Sequence, residues 1–221
     1  MIKLKRPLQP NILKQHETTW TADYLAARAS GDTDAIDAAE RKYRHKEIKN
    51  ALRDMHQRKC AFCESFIEHV SYSHIEHFKP KKRYPKMLVR WSNLLLACGV
   101  CNGTAYKGEK FPTAAQDGPL INPAKENPDD FLTYAFDPVT NVALVGYKHP
   151  RGKTTIDTLG LNRPDLAKDI RCQVVKKLFA LRKIIDQPNV QDDVRQPMLD
   201  ILFEAADSGQ HYSAFAKALL P

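Results

Sequence analysis

Cys60-Ala61-Phe62-Cys63 opens the stretch that decides the fold, which continues through Ser73-His74-Ile75-Glu76-His77-Phe78 and Asn93-Leu94 and ends at Cys98-Gly99-Val100-Cys101-Asn102. Two Cys-x-x-Cys pairs thus bracket an acid–histidine pair and two asparagines. Each Cys-x-x-Cys turn can direct two thiolates at one ion, and four thiolates form the closed tetrahedral site that zinc favours. We therefore predict a structural Zn²⁺ held by Cys60, Cys63, Cys98 and Cys101.

The alternatives for these cysteines are a redox Cys-x-x-Cys centre or buried free thiols. A redox centre needs only one such pair, so two pairs favour the metal. The odd total of five cysteines also argues against a disulfide framework. Because 34 residues separate Cys63 from Cys98, a further structure must be built between the two pairs.

Glu76 and His77 form the chemical centre that we predict. Adjacent residues of a strand point to opposite faces, so the strand must end or distort here if both are to serve one site. A glutamate supplies a hard oxygen ligand for Mg²⁺ or Mn²⁺, and a neutral histidine can act as a general base. An isolated Glu-His dipeptide is not specific by itself.

Two asparagines extend this centre. Asn102 directly follows the second cysteine pair, and its amide oxygen would be the second protein ligand of the catalytic ion; a helix cap is the competing interpretation. Asn93 would hydrogen-bond to backbone and fix the loop that positions His77, although an ordinary turn residue would show the same pattern.

Positive charge is concentrated in the part of the chain that holds these motifs. The net charge is +8, and residues 1–112 carry 21 Lys and Arg against 12 Asp and Glu. Eight basic residues lie in 41–59 and six lie in 79–90. Such runs are often only solvated surfaces, but next to a phosphodiesterase motif they favour a polyanionic partner. The candidates for nucleic-acid contact are Lys79, Lys81, Lys82, Arg83 and Lys107.

The predicted fold class is α+β, with a small ββα-metal core clamped by four cysteines and embedded in N- and C-terminal helices. Residues 1–58 are predicted to be helical, including a helix from about Asp34 to Gln57; residues 59–112 form the core, with strands over 70–78 and 89–97 and a short helix over 102–107. Residues 113–221 form a Pro-rich connector and a mostly helical region. No segment has the length of a membrane span or the pattern of a secretory signal, so the expected location is cytoplasmic.

These residues resemble the HNH endonucleases of the ββα-metal (His-Me finger) class. Within that class the pattern around Ile75-Glu76-His77-Phe78-Lys79-Pro80-Lys81 and Trp91-Ser92-Asn93-Leu94 is similar to the PtuB nuclease subunits of Septu antiphage defence systems. The resemblance covers residues 60–112, with a looser similarity over 120–123 and 155–163. It implies a general-base histidine at His77, a metal-binding acid at Glu76, a framework asparagine at Asn93 and a last metal ligand at Asn102.

Many members of that class carry Asp before the histidine and His at the last ligand position. This chain has Glu76 and Asn102 instead, and both still offer oxygen ligands that suit Mg²⁺ or Mn²⁺. The resemblance also implies an ATPase partner of the PtuA type.

The sequence therefore predicts a metal-dependent endonuclease that hydrolyses nucleic-acid phosphodiesters, with DNA favoured over RNA, working as the effector of an antiphage complex. Two alternatives stay open. The chain can be a non-catalytic zinc module that docks on nucleic acid, or mainly an assembly subunit whose cleavage is latent until it binds its partner.

Overall fold

The chain has a mixed helix and strand architecture in a computed structural model that describes residues 1–67 and 73–221. It divides into two compact units. The motif-bearing unit comprises Leu4–Ala61 and Phe66–Phe111, and the C-terminal unit comprises Met1–Lys3, Phe62–Ser65 and Pro112–Pro221. The predicted α+β class is confirmed.

Three helices begin the motif-bearing unit: α1 (Asn11–Ser30), α2 (Thr33–Arg41) and α3 (Lys46–Met55). Gly31 ends α1 in the left-handed region at φ 74°, a conformation that glycine adopts at little cost. Asp32 then caps α2 by accepting from the backbone of Asp34 and Ala35. Buried apolar side chains of α1 and α3 form part of the core of this unit, among them Leu13, Ile48 and Leu52.

A two-stranded antiparallel sheet and a short helix follow. Strand β1 (His74–His77) pairs with β2 (Leu94–Ala97), and the register places Glu76 opposite Leu95 and His77 opposite Leu94. All four residues of β2 are buried, which explains their continuous apolar character. The chain then turns directly into α4 (Gly99–Asn102). This strand, strand, helix order is the one predicted for the core.

The C-terminal unit contains a β-hairpin, β3 (Leu132–Asp137) with β4 (Val142–Tyr147), and four helices. The helices are α5 (Pro150–Leu159), α6 (Arg171–Ile185), α7 (Asp192–Ala206) and α8 (Ser213–Ala218), and a π-helical segment, Asp165–Ile170, leads into α6. Apolar side chains of α6, α7 and α8 form one core cluster.

Three predicted elements need correction. The helix expected over 34–57 is interrupted, because Lys42–Arg44 form a 3₁₀ turn and His45 is extended. The His45 side chain accepts from the Glu47 backbone N–H at 3.3 Å, so it caps a new helix instead of continuing the old one. The strand expected over 89–97 is shorter, since Trp91–Asn93 form a 3₁₀ turn.

The short helix expected over 102–107 ends at Asn102. The start of the strand expected over 70–78 lies outside the described residues. Among the helices of the described part of the chain, none combines the length and apolarity that crossing a membrane requires.

Candidate active site

The four cysteines of the two Cys-x-x-Cys pairs converge on one point. Their sulfur atoms all lie within 4.8 Å of one another, three of the residues are buried and Cys98 is half-buried. The backbone N–H of Ala61 donates to the carbonyl of Leu96 at 2.9 Å, which ties the first pair to β2. Four converging sulfur atoms with this burial fit a tetrahedral metal site, and the predicted zinc agrees with the donor set. Cys172, in α6, lies outside the cluster.

Glu76, His77 and Asn102 line one cavity of about 260 Å³, together with Tyr43 and Lys81. Glu76 and His77 are neighbours in β1, yet both contribute to the same cavity because His77 is the last residue of the strand. The structure thus brings together Glu76, His77 and Asn102, which are the predicted acid, the predicted base and the predicted last ligand.

His77 is buried and held by two contacts. Its Nε2 lies 2.8 Å from the carbonyl oxygen of Leu88, and the Tyr43 ring packs edge-on against the imidazole at 4.6 Å between centroids. A carbonyl oxygen can only accept, so Nε2 carries the proton and Nδ1 keeps its lone pair. Burial lowers the pKa of His77 to about 4, which keeps the ring neutral at physiological pH. The imidazole is therefore oriented as a proton acceptor.

Glu76 is buried beside a lysine. Its Oε1 lies 2.5 Å from Nζ of Lys107, an ion pair in which neither side chain is appreciably exposed. Oε1 is buried, and the Lys107 ammonium is its partner. Burial raises the pKa of the Glu76 carboxyl and the Lys107 ammonium opposes that rise. A buried carboxylate that also lines the cavity fits a cation site.

Asn102 is the last residue of α4 and is half-buried. Its backbone N–H donates to the carbonyl of Cys98 at 3.0 Å, so the second cysteine pair fixes its position. Cys98 itself is the N-cap of α4. Asn102 lines the cavity, and the N-cap position of α4 belongs to Cys98.

Asn93 connects the two ends of the loop between β1 and β2. Its Oδ1 accepts from the backbone N–H of Lys79 at 2.8 Å, and its Nδ2 donates to the carbonyls of Lys79 at 3.0 Å and Met87 at 3.1 Å. Met87 immediately precedes Leu88, the residue whose carbonyl holds His77. These hydrogen bonds are the ones that the predicted framework role requires.

Asn93→Ala is expected to lower the free energy of unfolding by about 3 kcal/mol, because it leaves three partly buried backbone groups without their partner. Urea unfolding followed by circular dichroism measures the change. Asn50→Ala on the exposed face of α3 is the control, and it is expected to change stability by less than about 0.5 kcal/mol. Equal stability of the two variants would contradict a framework role for Asn93.

The five predicted nucleic-acid contacts differ in their surroundings. Lys79 is half-buried with its ammonium over the Tyr84 ring, and Arg83 is exposed and donates to the carbonyl of Phe111. Lys81 and Lys82 are each in an ion pair with a glutamate.

Lys107 differs from the other four in having no exposed surface. Its ammonium contacts Glu76 and the carbonyl of His77, and the structure corrects its predicted place on a phosphate-binding surface: it is an interior counter-ion.

Sequence reasoning missed three contributors to this site. Tyr43 lies within a basic run whose helical pattern concealed the turn that directs the ring at His77. The carbonyl of Leu88 is a backbone group, which no side-chain pattern reveals. His56 is buried and accepts from the N–H of Leu96 at 3.2 Å, and burial lowers its pKa to about 3.

Comparisons with known proteins identify relatives of this chain. A Septu protein PtuB of Bacillus thuringiensis is 35% identical over 166 residues, which are 75% of this chain and 56% of that protein. A Septu protein PtuB of Bacillus mycoides is 27% identical over an alignment of 245 positions, which covers 91% of this chain and 81% of that protein. The chain is a relative of the Septu PtuB proteins.

A third relative is a candidate HNH endonuclease of retron Vc95 from Vibrio cholerae, which is 26% identical over 148 residues, 62% of this chain and 68% of that protein. The predicted resemblance to PtuB-like HNH nucleases is thereby confirmed. The chain spans little more than half the length of the Bacillus thuringiensis PtuB. No protein-family model and no solved structure matches the chain.

Proposed function

We propose that this chain is a metal-dependent HNH endonuclease that hydrolyses nucleic-acid phosphodiester bonds. One observation carries the proposal: an oriented neutral imidazole, a buried carboxylate and an amide line a single cavity beside a four-cysteine cluster. The PtuB-like relatives support the same class.

His77 acts as the general base in this proposal. The Leu88 carbonyl fixes the proton on Nε2, so Nδ1 accepts a proton from the water that attacks phosphorus. Burial keeps the ring neutral near neutral pH, so the Nδ1 lone pair is unprotonated there. Asn93 acts at a distance, because its hydrogen bonds hold the loop that carries Met87 and Leu88.

Glu76 and Asn102 are the residues that hold the divalent ion in this proposal. Both present oxygen, the donor that Mg²⁺ and Mn²⁺ prefer. When bound, the ion supplies Lewis-acid stabilisation of the charge that develops on the phosphate and the leaving oxygen. The four-cysteine cluster has a separate, structural role as the zinc site.

DNA is the proposed substrate in preference to RNA. The exposed basic side chains near the cavity, such as Arg44, Arg83 and Lys82, suit contacts with phosphates, which fix position without reading bases. We infer little sequence specificity from them. As in the related Septu proteins, we place the chain in an antiphage complex, and a PtuA-type ATPase is the proposed partner.

Supercoiled plasmid tests the proposed activity. The zinc-loaded chain is expected to nick it with Mg²⁺ or Mn²⁺ and to stop when EDTA removes the added ion. Glu76→Gln is expected to slow nicking by at least about 100-fold, because it removes the anionic ligand of the ion. Glu17→Gln, which changes an acid on α1 outside the cavity, is the matched control.

The partner hypothesis is tested in the same assay. If the isolated chain is silent but cleaves after a PtuA-type ATPase is added, cleavage is latent until assembly. Nicking that persists at the same rate in EDTA and in Glu76→Gln would contradict the proposed mechanism.

A further inference from the structure

Lys107 is a fully buried lysine whose backbone and side-chain ammonium are both held by contacts. Its backbone N–H donates to the carbonyl of Cys101 at 3.2 Å, so the cysteine cluster holds the base of the residue. Its Nζ lies 2.5 Å from Oε1 of Glu76 and donates to the carbonyl of His77 at 3.1 Å. The side chain therefore places a full positive charge behind the carboxylate of the site.

The two oxygens of Glu76 have different surroundings. Oε1 is buried against Lys107, whereas the residue itself lines the cavity. Since Oε1 is paired with Lys107, we assign Oε2 as the oxygen that would bind the ion. Lys107 orients the carboxylate, and it also cancels most of the negative charge that a cation in the cavity would meet.

The other charged residues that line the cavity are compensated as well. Lys81 is in an ion pair with Glu40, and Glu109 lies 2.9 Å from Lys82. The second pair is exposed and screened by solvent. Among the described cavity residues, no ionised side chain lacks a counter-ion.

We propose that Lys107 makes binding of the divalent ion depend on the substrate. Lys107 neutralises the anionic ligand Glu76, so a nucleic-acid phosphate must supply the further negative charge that the ion needs. This inference rests on the proposed function of the site. Its physical basis is that a divalent cation is held firmly only where negative charge exceeds positive charge nearby. Asn102 contributes an oxygen dipole but no charge, so Glu76 alone cannot supply that excess.

Such dependence has a measurable consequence, because linkage is reciprocal. If a phosphate strengthens metal binding by some factor, the metal must strengthen nucleic-acid binding by the same factor. A nuclease with this property stays largely free of its catalytic ion until substrate is present. Lys107 is a positioning residue in this scheme, since it acts through Glu76.

Electron paramagnetic resonance titration of Mn²⁺ tests the proposal on the full zinc-loaded chain carrying His77→Ala, which prevents cleavage. A short duplex DNA is expected to tighten Mn²⁺ binding by about tenfold or more. Fluorescence anisotropy is expected to show that Mn²⁺ tightens DNA binding by the same factor. Titration of the duplex alone corrects for Mn²⁺ bound directly to DNA.

Lys107→Met in the same background is expected to reduce this coupling factor several-fold, because it leaves the charge of Glu76 uncompensated. The reduction is expected to come from tighter Mn²⁺ binding in the absence of DNA, whereas a general loss of structure would weaken that binding. Glu17→Gln, which removes an acid on α1 outside the cavity, is the control, and it is expected to leave the coupling unchanged.

Equal Mn²⁺ affinity with and without DNA would overturn the proposal, and so would unchanged coupling in a folded Lys107→Met variant. The reciprocal measurement needs no change at Lys107, so an absence of coupling overturns the proposal even if that variant loses zinc. A Glu76→Gln variant that binds Mn²⁺ as tightly as its parent would instead contradict the metal site of the proposed function.

Discussion

His77→Ala is expected to slow phosphodiester cleavage by about 1,000-fold at saturating Mg²⁺ or Mn²⁺, because it removes the side chain that accepts the proton of the attacking water. The Leu88 carbonyl loses its donor in this variant, at a cost of about 1–3 kcal/mol in stability. Zinc content is expected to stay the same, since the four cysteines are untouched. Initial nicking rates of plasmid DNA and zinc analysis measure the two effects.

His74→Ala is the matched control, because His74 occupies the other end of the same strand, β1, and is exposed. It is expected to cleave at close to the parental rate. If His77→Ala cleaves as fast as the parent, or if the two variants lose activity equally, His77 is not the general base.

Removing the metal from the cysteine cluster is expected to unfold the motif-bearing unit. Structural zinc contributes about 10 kcal/mol or more of apparent folding free energy in small metal-dependent folds. The β1–β2 sheet has only four residues in each strand, so it cannot offset such a loss. Cys101→Ser is expected to lose bound zinc and the cooperative thermal transition, as measured by metal analysis and calorimetry.

Cys172→Ser is the control for that experiment. Cys172 is also buried, but it is not part of the four-cysteine cluster. Its thiol donates to the carbonyl of Asn141 at 3.0 Å. The Cys172→Ser variant is expected to bind one zinc per chain and to show a thermal transition near that of the parent. Loss of zinc from Cys172→Ser, or its retention by Cys101→Ser with normal stability, would contradict the assignment of the cluster.

Local spacing explains why part of this site could be predicted from the sequence. A Cys-x-x-Cys turn constrains where its two sulfur atoms can point, and Asn102 is covalently tied to the second turn. The β1–β2 register places His74 beside Ala97 and His77 opposite Leu94, so pairing alone does not bring Glu76 and His77 to the start of α4. Their approach to Asn102 also needs the direction in which α4 leaves the sheet.

Contacts made by backbone atoms or by distant segments could not be predicted. Lys107 has the same basic side chain as the exposed lysines around it, and only the folded chain shows that it is buried against Glu76. The turn at 42–45 depends on a single capping contact of His45, which competes with an otherwise continuous helical pattern. No separate helix was predicted over Pro150–Leu159, where Gly152 and three threonines weaken the apolar periodicity.

An anomalous-scattering map from zinc-loaded crystals of the chain soaked in Mn²⁺ with a short DNA tests most directly whether Glu76, His77 and Asn102 form the catalytic centre. We expect one manganese peak in the cavity, bound by Glu76 and Asn102, with a phosphate oxygen on the ion and a water facing Nδ1 of His77. A map with zinc at the cysteines and DNA bound, but with the manganese at some other position, would contradict this account.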